Sequence, residues 1–390
     1  MKHTETNISK IHNRTIFFKI LISFISFILF TDISSLSSEP SSSRMARNRL
    51  AAAIMAPDNV ETLSLSDIST IPENIKKLKN LRQLTISRES SNGPRLKSLP
   101  AGIGDLKKLE WLTITGQELS TLPPEFKKLS SLKTLHLREN KFTEFPKEIT
   151  SLKNLESLSF DRNRIKHIPA EVRKMKKLKS LMISNNELES LDNAELISKL
   201  EGIQAIDNRI THLPAKIYKL KKLNHLSIGN NQIKNLPEGF SRLSNLEGFY
   251  IADNKLESLP SDFGNLKSLK NLYIDNNQIT KLPDSFKKLT ALELLRMQSN
   301  QIPAIPYGDG FPNLRQFVIS GNQFPVLTVA RPSAAVRQDP SENSPEIFQM
   351  KKGEQIIILS RIQDAKENSR GFIWIMNSYG QLGFCYIDEI

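Results

Sequence analysis

Residues 246–269 read LEGFYIADNKLESLPSDFGNLKSL, and this arrangement of apolar side chains returns along most of the 390-residue chain. Each copy has two apolar residues one position apart, then an asparagine, then an apolar residue that in most copies precedes proline. Successive copies of that last apolar residue are 28, 23, 23, 23, 23, 22, 23, 23, 23 and 23 residues apart. Such regularity predicts a fold of stacked repeats. These residues are Ile71, Leu99, Leu122, Phe145, Ile168, Leu191, Leu213, Leu236, Leu259, Leu282 and Ile305, and proline follows each except Leu191, where Asp192 replaces it.

The spacing inside one copy predicts how each turn packs. The two apolar residues of the L-x-L stretch point into the core, and the residue between them faces outward. A later I-x-x-L spacing is helix-like and buries a second side. We expect the asparagines to be buried as a structural ladder bonded to neighbouring backbone. They are Asn140, Asn163, Asn186, Asn208, Asn231, Asn254, Asn277, Asn300 and Asn322.

The pattern LxxLxLxxNxLxxLPxxIxxLxx over residues 58–328 resembles the leucine-rich repeat family in its bacterial, 23-residue form. The resemblance implies an α/β fold, a right-handed solenoid or horseshoe of about eleven repeats with helical or extended return segments. Strands pair about 4.8 Å apart and helices about 8–10 Å apart, so the parallel strands should line the concave face. Five extra residues within Ser87–Arg95 predict a loop at the strand edge.

The amino terminus has the layout of a secretory signal. Basic residues precede an apolar run at 20–30, and a serine-rich stretch follows. Eleven residues would span about 16 Å as a helix, short of a bilayer core. We therefore predict a signal peptide and junction over 1–38, a secreted, periplasmic or cell-surface protein, and no integral membrane segment after removal. A retained anchor is the alternative. Residues 39–57 should form a cap helix for the first repeat.

Residues 329–390 read as a different, all-β domain. Apolar runs at 355–359, 372–376 and 382–387, separated by turns, predict a small β-barrel. Several short elements in this tail resemble the bacterial Src-homology-3-like family, although Phe384 stands where that family has tryptophan. That resemblance implies binding of peptidoglycan or another cell-wall peptide. The elements are Val336-Arg337, Pro340-Ser341, Lys352-Gly353-Glu354, Trp374, Gly380 and Gly383-Phe384.

Outward residues of the strands are the candidate partner-binding residues. Tyr250, Tyr273 and Arg296 fall on three adjacent strands, and Tyr and Arg are enriched at interface hot spots. Asp275 and Gln298 border this run. A second, looser group contains Trp111, His136 and Arg138. For His136 taken alone, cross-strand stacking is the favoured interpretation.

Charge and composition exclude several functions. The chain has 54 Lys+Arg and 41 Asp+Glu, a formal charge of +13, but lysine pairs such as Lys107-Lys108 recur on the convex side. A solvated lysine-rich face predicts no specific nucleic-acid binding. A single cysteine excludes an internal disulfide. No zinc-ligand spacing, phosphate-binding loop or nucleophile motif is present, so we expect no metal, no cofactor and no enzymatic activity.

The favoured function is therefore an exported bacterial protein–protein interaction module whose concave face binds a partner of unknown identity. The resemblance to the repeat family implies a host-directed, virulence-associated role. One alternative is a cell-envelope protein whose tail binds peptidoglycan. Another is an intracellular signalling scaffold, which requires that the amino-terminal signal stays in place.

The predicted export can be tested by mass spectrometry of the native amino terminus. We expect the signal to be cut at a bond between Ser34 and Ser38, because the polar junction there follows the apolar run directly. A native chain that still begins at Met1 would contradict export and support the scaffold.

Overall fold

The structure is a computed structural model that describes residues 40–306, 311–328, 333–337, 346–351, 354–362, 372–377 and 382–386. The predicted signal peptide and the elements Pro340-Ser341, Lys352-Gly353 and Gly380 lie outside the described residues. The chain divides into two compact units, Met1–Leu188 and Glu189–Ile390. The irregular turn around Asp192 thus lies just after the boundary between the units.

The first unit contains one described α-helix followed by parallel strands that pair in chain order. Helix α1 spans Ser41–Met55, starts within the segment expected to cap the repeats and buries Leu50 and Ala51. Between the strands the chain returns in 3-10 turns at Pro57–Asn59, Glu73–Lys77, Ala101–Asp105, Pro124–Lys128, Lys147–Ser151 and Ala170–Lys174. The strands are β1 (Thr62–Ser66), β2 (Gln83–Ser87), β3 (Trp111–Ile114), β4 (Thr134–His136), β5 (Ser157–Ser159) and β6 (Ser180–Met182).

The second unit repeats this pattern and ends in an antiparallel sheet. Its parallel strands are β7 (Gly202–Gln204), β8 (His225–Ser227), β9 (Gly248–Tyr250), β10 (Asn271–Tyr273), β11 (Leu294–Arg296) and β12 (Gln316–Val318). The 3-10 turns are Ala194–Leu196, Ile217–Lys219, Phe240–Arg242, Phe263–Asn265 and Asp284–Lys288. The six-stranded sheet has the order β13-β16-β17-β18-β14-β15. Its strands are β13 (Val326–Thr328), β14 (Ser333–Arg337), β15 (Glu346–Lys351), β16 (Gln355–Ile362), β17 (Phe372–Asn377) and β18 (Leu382–Tyr386).

Buried amides tie each turn to the one before it. The Asn277 Oδ1 accepts the Leu256 N–H at 2.9 Å, and its Nδ2 donates to the Ile251 carbonyl at 3.0 Å. The same Nδ2 lies within 3.1 Å of the Ile274 and Asp275 carbonyls. Neighbouring turns repeat these bonds, so backbone groups that water cannot reach are paired. Seven ladder asparagines are buried: Asn140, Asn163, Asn186, Asn231, Asn254, Asn277 and Asn300.

The five-residue insertion after β2 is held by the buried carboxylate of Asp67. Its Oδ1 accepts the backbone N–H groups of Glu89 at 3.0 Å and Ser90 at 3.2 Å. Its Oδ2 accepts the hydroxyl of Ser42 at 2.6 Å, and Ser42 belongs to α1. One carboxylate therefore connects the cap helix, the end of β1 and the inserted loop.

The core of the second unit includes a column of phenylalanines on the return side. Phe240 and Phe263 are stacked with centroids 6.4 Å apart, and Phe263 and Phe286 with centroids 6.3 Å apart. Here adjacent turns approach closely, because a Cβ at Gly264 would lie 1.7 Å from the Ser285 carbonyl oxygen. This close approach of the 3-10 turns places the phenylalanine ring of each turn against the ring of the following turn.

The antiparallel sheet is joined directly to the last repeats. The Ile358 N–H donates to the Pro325 carbonyl, and the Ile305 N–H donates to the Leu359 carbonyl, both at 2.8 Å. Ile358 and Leu359, both in β16, are buried. Two hydrogen bonds thus connect β16 to backbone groups of the last two repeats.

The described repeats return in 3-10 turns, which agrees with the helical or extended return segments expected from the sequence. Three details differ from the sequence expectations. The described residues contain twelve parallel strands, against about eleven repeats expected. Asn208 and Asn322 are half-buried instead of buried. Asn208 lies in the repeat that is one residue short, and Asn322 lies in the last repeat. Strand β13 starts before the domain boundary expected at residue 329.

The asparagine ladder predicts a large effect of a single substitution. Asn277→Ala leaves the buried Leu256 N–H without a partner and removes three further hydrogen bonds from the amide to backbone carbonyls, so we expect the free energy of unfolding to fall by about 2 kcal/mol. Urea denaturation followed by circular dichroism measures this change. The control is Asn245→Ala, whose exposed amide donates only to the Lys221 carbonyl and should change stability by less than about 0.5 kcal/mol. Equal shifts in the two variants would contradict a structural role for the ladder.

Candidate partner-binding surface

The outward side chains of β9, β10 and β11 lie in register and touch. Tyr273 is paired with Tyr250 on one side and with Arg296 on the other. The two tyrosine rings meet edge to face, with centroids 4.8 Å apart and an interplanar angle of 76°. The Arg296 guanidinium carbon lies 5.2 Å from the centre of the Tyr273 ring. The three residues that the sequence singled out thus form one continuous half-exposed surface.

Asp275 orients Arg296 instead of offering a free carboxylate to a partner. The Asp275 side chain is only 6% exposed, and its Oδ2 lies 3.2 Å from the Arg296 Nε. Its Oδ1 accepts the Gln298 backbone N–H at 3.0 Å. Gln298 in turn accepts from Arg296 at 3.2 Å and donates to the Ser320 hydroxyl at 2.7 Å. Of the two bordering residues, Gln298 is the one that stays at the surface.

A glycine missed by the sequence analysis gives Tyr250 its position. A Cβ at Gly248 would lie 2.8 Å from the Tyr250 Cε2 and 2.9 Å from the His225 Cδ2. The tyrosine ring therefore lies beside Gly248, next to the exposed imidazole of His225. Burial raises the pKa of Tyr250, and the neighbouring Tyr273 raises it further, so Tyr250 stays a neutral hydroxyl at physiological pH. The only sequence signal was a glycine at the start of a strand.

The second group of candidate residues lies in the first unit. The rings of Trp111 and His136 meet edge to face with centroids 5.6 Å apart, and Trp111 is 44% exposed. The Trp111 Nε1–H donates to the Thr113 hydroxyl at 3.0 Å. Arg138 follows His136 by two residues and is exposed. The structure thus brings Trp111 and His136 together.

Burial lowers the pKa of His136, and the carboxylate of Asp161 opposes that shift. Asp161 is itself fixed, because its Oδ1 accepts the Ser184 N–H at 2.8 Å and its Oδ2 accepts the Ser159 hydroxyl at 2.9 Å. His136 is therefore neutral at physiological pH. It offers a partner a polar, uncharged ring.

A column of alternating charge, which the sequence analysis did not detect, runs along the edge where the strands begin. We call the residue immediately before each strand its edge residue. The Lys133 Nζ lies 2.6 Å from the Glu110 Oε2, and the Arg82 Nη1 lies 2.6 Å from the Glu110 Oε1. These two ion pairs lower the pKa of Glu110. The Lys270 Nζ lies 2.9 Å from the Glu247 Oε2, and this hydrogen-bonded ion pair raises the pKa of Lys270. The edge residues are Glu61, Arg82, Glu110, Lys133, Glu156 and Lys179 in the first unit and Glu201, Asn224, Glu247, Lys270, Glu293 and Arg315 in the second.

Two further features of the described residues bear on function. They contain no group of three or more His, Cys, Asp or Glu side chains arranged to hold a metal ion. No helix among them has both the length and the apolar character needed to cross a bilayer.

Two families of known proteins match the chain. A leucine-rich repeat region matches residues 64–212. A leucine rich repeat family matches residues 198–256, 249–302 and 269–324. No curated protein matches the sequence. With the parallel strands and 3-10 turns, these matches identify residues 64–324 as leucine-rich repeats, a class whose fold serves protein–protein interaction and is typically not enzymatic.

Solved structures give the same fold. A TDR receptor is 28% identical, with a TM-score of 0.58, over 68% of this chain and 48% of the receptor chain. The plant peptide hormone receptor RGFR1, in complex with RGF2, is 26% identical, with a TM-score of 0.55, over 67% of this chain and 46% of that chain. This chain thus spans just under half the length of these two receptors.

A bacterial structure is also similar. An internalin, inlF, from Listeria monocytogenes is 18% identical, with a TM-score of 0.50, over 77% of this chain and 97% of the internalin chain. At this identity the likeness concerns the fold alone.

The environment of His136 predicts its titration. Burial disfavours the imidazolium, so the His136 pKa should lie below the ordinary histidine value of 6.5, and Asp161→Asn should lower it further by removing the opposing charge. Because the folded-state pKa is depressed, the first unit should keep its full stability above pH 6.5 and lose some of it as the pH falls below that value. NMR titration of the imidazole C–H signals measures both values. A His136 pKa that rises in Asp161→Asn would contradict this account.

Proposed function

We propose that this protein is an exported bacterial module that binds a protein partner through the outward residues of β9, β10 and β11. The observation that carries the proposal is the continuous surface of Tyr250, Tyr273 and Arg296, held by Asp275 and Gln298. Two aromatic rings and a guanidinium that are already fixed lose little side-chain freedom when a partner arrives. Such residues are the usual anchors of protein interfaces.

The comparisons support binding of a protein or peptide. RGFR1, which is 26% identical with a TM-score of 0.55, is a peptide hormone receptor in complex with RGF2. We infer that this chain uses the same kind of fold to hold a polypeptide ligand. A host protein is the partner that the resemblance to bacterial repeat proteins favours. The basic and apolar residues at 1–38 support export of the chain before it meets that partner.

The tail has a narrower proposed role. We propose that residues 329–390 form a Src-homology-3-like barrel that closes the end of the repeats, with peptidoglycan as its candidate ligand. The antiparallel pairing of its five described strands, β14 to β18, supports the all-β character, and the bonds from Pro325 and Ile305 to β16 support the closing role.

The test compares the native chain with Tyr250→Ala/Tyr273→Ala/Arg296→Ala in affinity capture from host and bacterial extracts. We expect the triple variant to lose captured partners by at least about 100-fold, because three central anchors are removed. The matched control is Gln204→Ala/Ser227→Ala/Gln316→Ala, which changes three other residues on strands of the same unit. Circular dichroism should show all three chains folded.

The outcomes separate the candidate functions. Partners captured by the native chain and the control variant, and lost by the triple variant, support the proposed surface. Equal capture by all three chains would show that the Tyr250–Tyr273–Arg296 surface does not bind the partner. Equal retention of all three by insoluble cell wall would support the envelope role of the tail instead.

A further inference from the structure

The second unit has an acidic strand side in a strongly basic protein. We define the strand side as the seven residues from each edge residue to the residue before the ladder asparagine. In the second unit this side has six acidic and three basic residues, against a charge of +13 for the chain. In the first unit six acidic residues are balanced by six basic ones. The acidic residues of the second unit are Glu201, Asp207, Glu247, Asp253, Asp275 and Glu293, and the basic ones are Lys270, Arg296 and Arg315.

The negative charge is concentrated in the first three strand segments of that unit. Residues 201–207, 224–230 and 247–253 together have four acidic residues and no lysine or arginine. These three segments lack a basic residue because Asn224 occupies the position where the alternating charges of the edge residues predict a cation. Asn224 is neutral, and its Oδ1 lies 2.9 Å from the Nδ1 of His225.

The backbone around Asn224 is the same as around an edge residue that does carry a cation. The backbone N–H of Asn224 donates to the Glu201 carbonyl at 2.9 Å, and the Asn224 carbonyl accepts the Glu247 N–H at 2.8 Å. In the same way, the backbone N–H of Lys270 donates to the Glu247 carbonyl at 2.9 Å, and the Lys270 carbonyl accepts the Glu293 N–H at 2.8 Å. The backbone at Asn224 thus matches that of an edge residue whose cation lies between the carboxylates of the two flanking turns, and residue 224 itself supplies no cation.

This place adjoins the aromatic surface. Gly248 follows the edge residue Glu247, and the rings of Tyr250 and His225 flank Gly248. A cationic group between Glu201 and Glu247 would therefore lie next to the Tyr250 ring, whose hydroxyl is neutral at physiological pH. Carboxylates and an aromatic face in one place are the environment that a lysine or arginine side chain prefers.

We propose that the partner binds as a basic segment, with a lysine or arginine side chain seated beside Asn224 between Glu201 and Glu247. This proposal rests on the proposed function, since it names the chemistry of the partner for the Tyr250–Tyr273–Arg296 surface. The excess of carboxylates speeds encounter with a basic segment and disfavours acidic ones. The seated cation completes the alternation of edge charges.

The decisive variant is Asn224→Lys, which places the chain's own cation in the site. Like Lys270 beside Glu247, the new ammonium should pair with its neighbours, so the melting temperature should not fall. Thr290→Lys is the matched control. It makes the same change of charge at an exposed position of the return segment, where Lys267 stands one turn earlier.

The probe is a random dodecapeptide library displayed on phage and selected on the full chain. We expect recovered peptides to carry lysine or arginine well above the input frequency. Recovery should fall about tenfold on Asn224→Lys and stay unchanged on Thr290→Lys. For one recovered peptide, replacing its basic residue by glutamine should weaken binding to the native chain about tenfold and leave binding to Asn224→Lys unchanged.

Each result decides the proposal. Peptides without basic enrichment, or equal recovery on Asn224→Lys and the native chain, overturn the cation site. If those same peptides are lost on the Tyr250→Ala/Tyr273→Ala/Arg296→Ala variant, the proposed function stands without the cation site. If they are recovered by the triple variant as well, both proposals fail.

Discussion

The hydrogen bonds of one buried asparagine per turn are the constraint on which the rest of the structure depends. Each amide pairs an N–H of the preceding turn and carbonyls of both turns, as Asn277 does with Leu256, Ile251 and Ile274. Without these bonds the turns would bury unpaired backbone groups, which costs more than the packing of one short turn returns. The register of adjacent strands follows from the ladder, and so does the placement of every outward side chain.

Neighbouring turns also interact through charge, and there the regular pattern and its interruption have different consequences. Edge residues of alternating sign pair from turn to turn, for example Arg82 and Lys133 with Glu110. Exposed pairs of this kind add little stability each. At Asn224 the alternation stops, because a neutral amide stands where the pattern would place a cation.

Much of the surface proposed for binding could be predicted because repeats place equivalent residues in equivalent positions. Tyr250, Tyr273 and Arg296 follow from the 23-residue period, and the structure brings them into contact. The sequence analysis missed Gly248 and the edge residues. It considered only the outward residue between the two apolar residues of each strand, whereas Gly248 and the edge residues precede that pair. It also treated Asp275 as available to a partner, although burial and pairing with Arg296 take up its oxygens.

The sequence by itself determined the repeat, the short strands and the outward column of side chains, because a period of 23 residues and the spacing of apolar positions are local properties. It also determined the sign and place of each charge. Only the tertiary structure decided that the return segments are 3-10 turns, that Asp67 joins the cap helix to the inserted loop, and that β16 bonds to the last repeats. Those features depend on which groups meet across the sequence, and the cost of burying an unpaired polar group selects the arrangement in which all of them are satisfied.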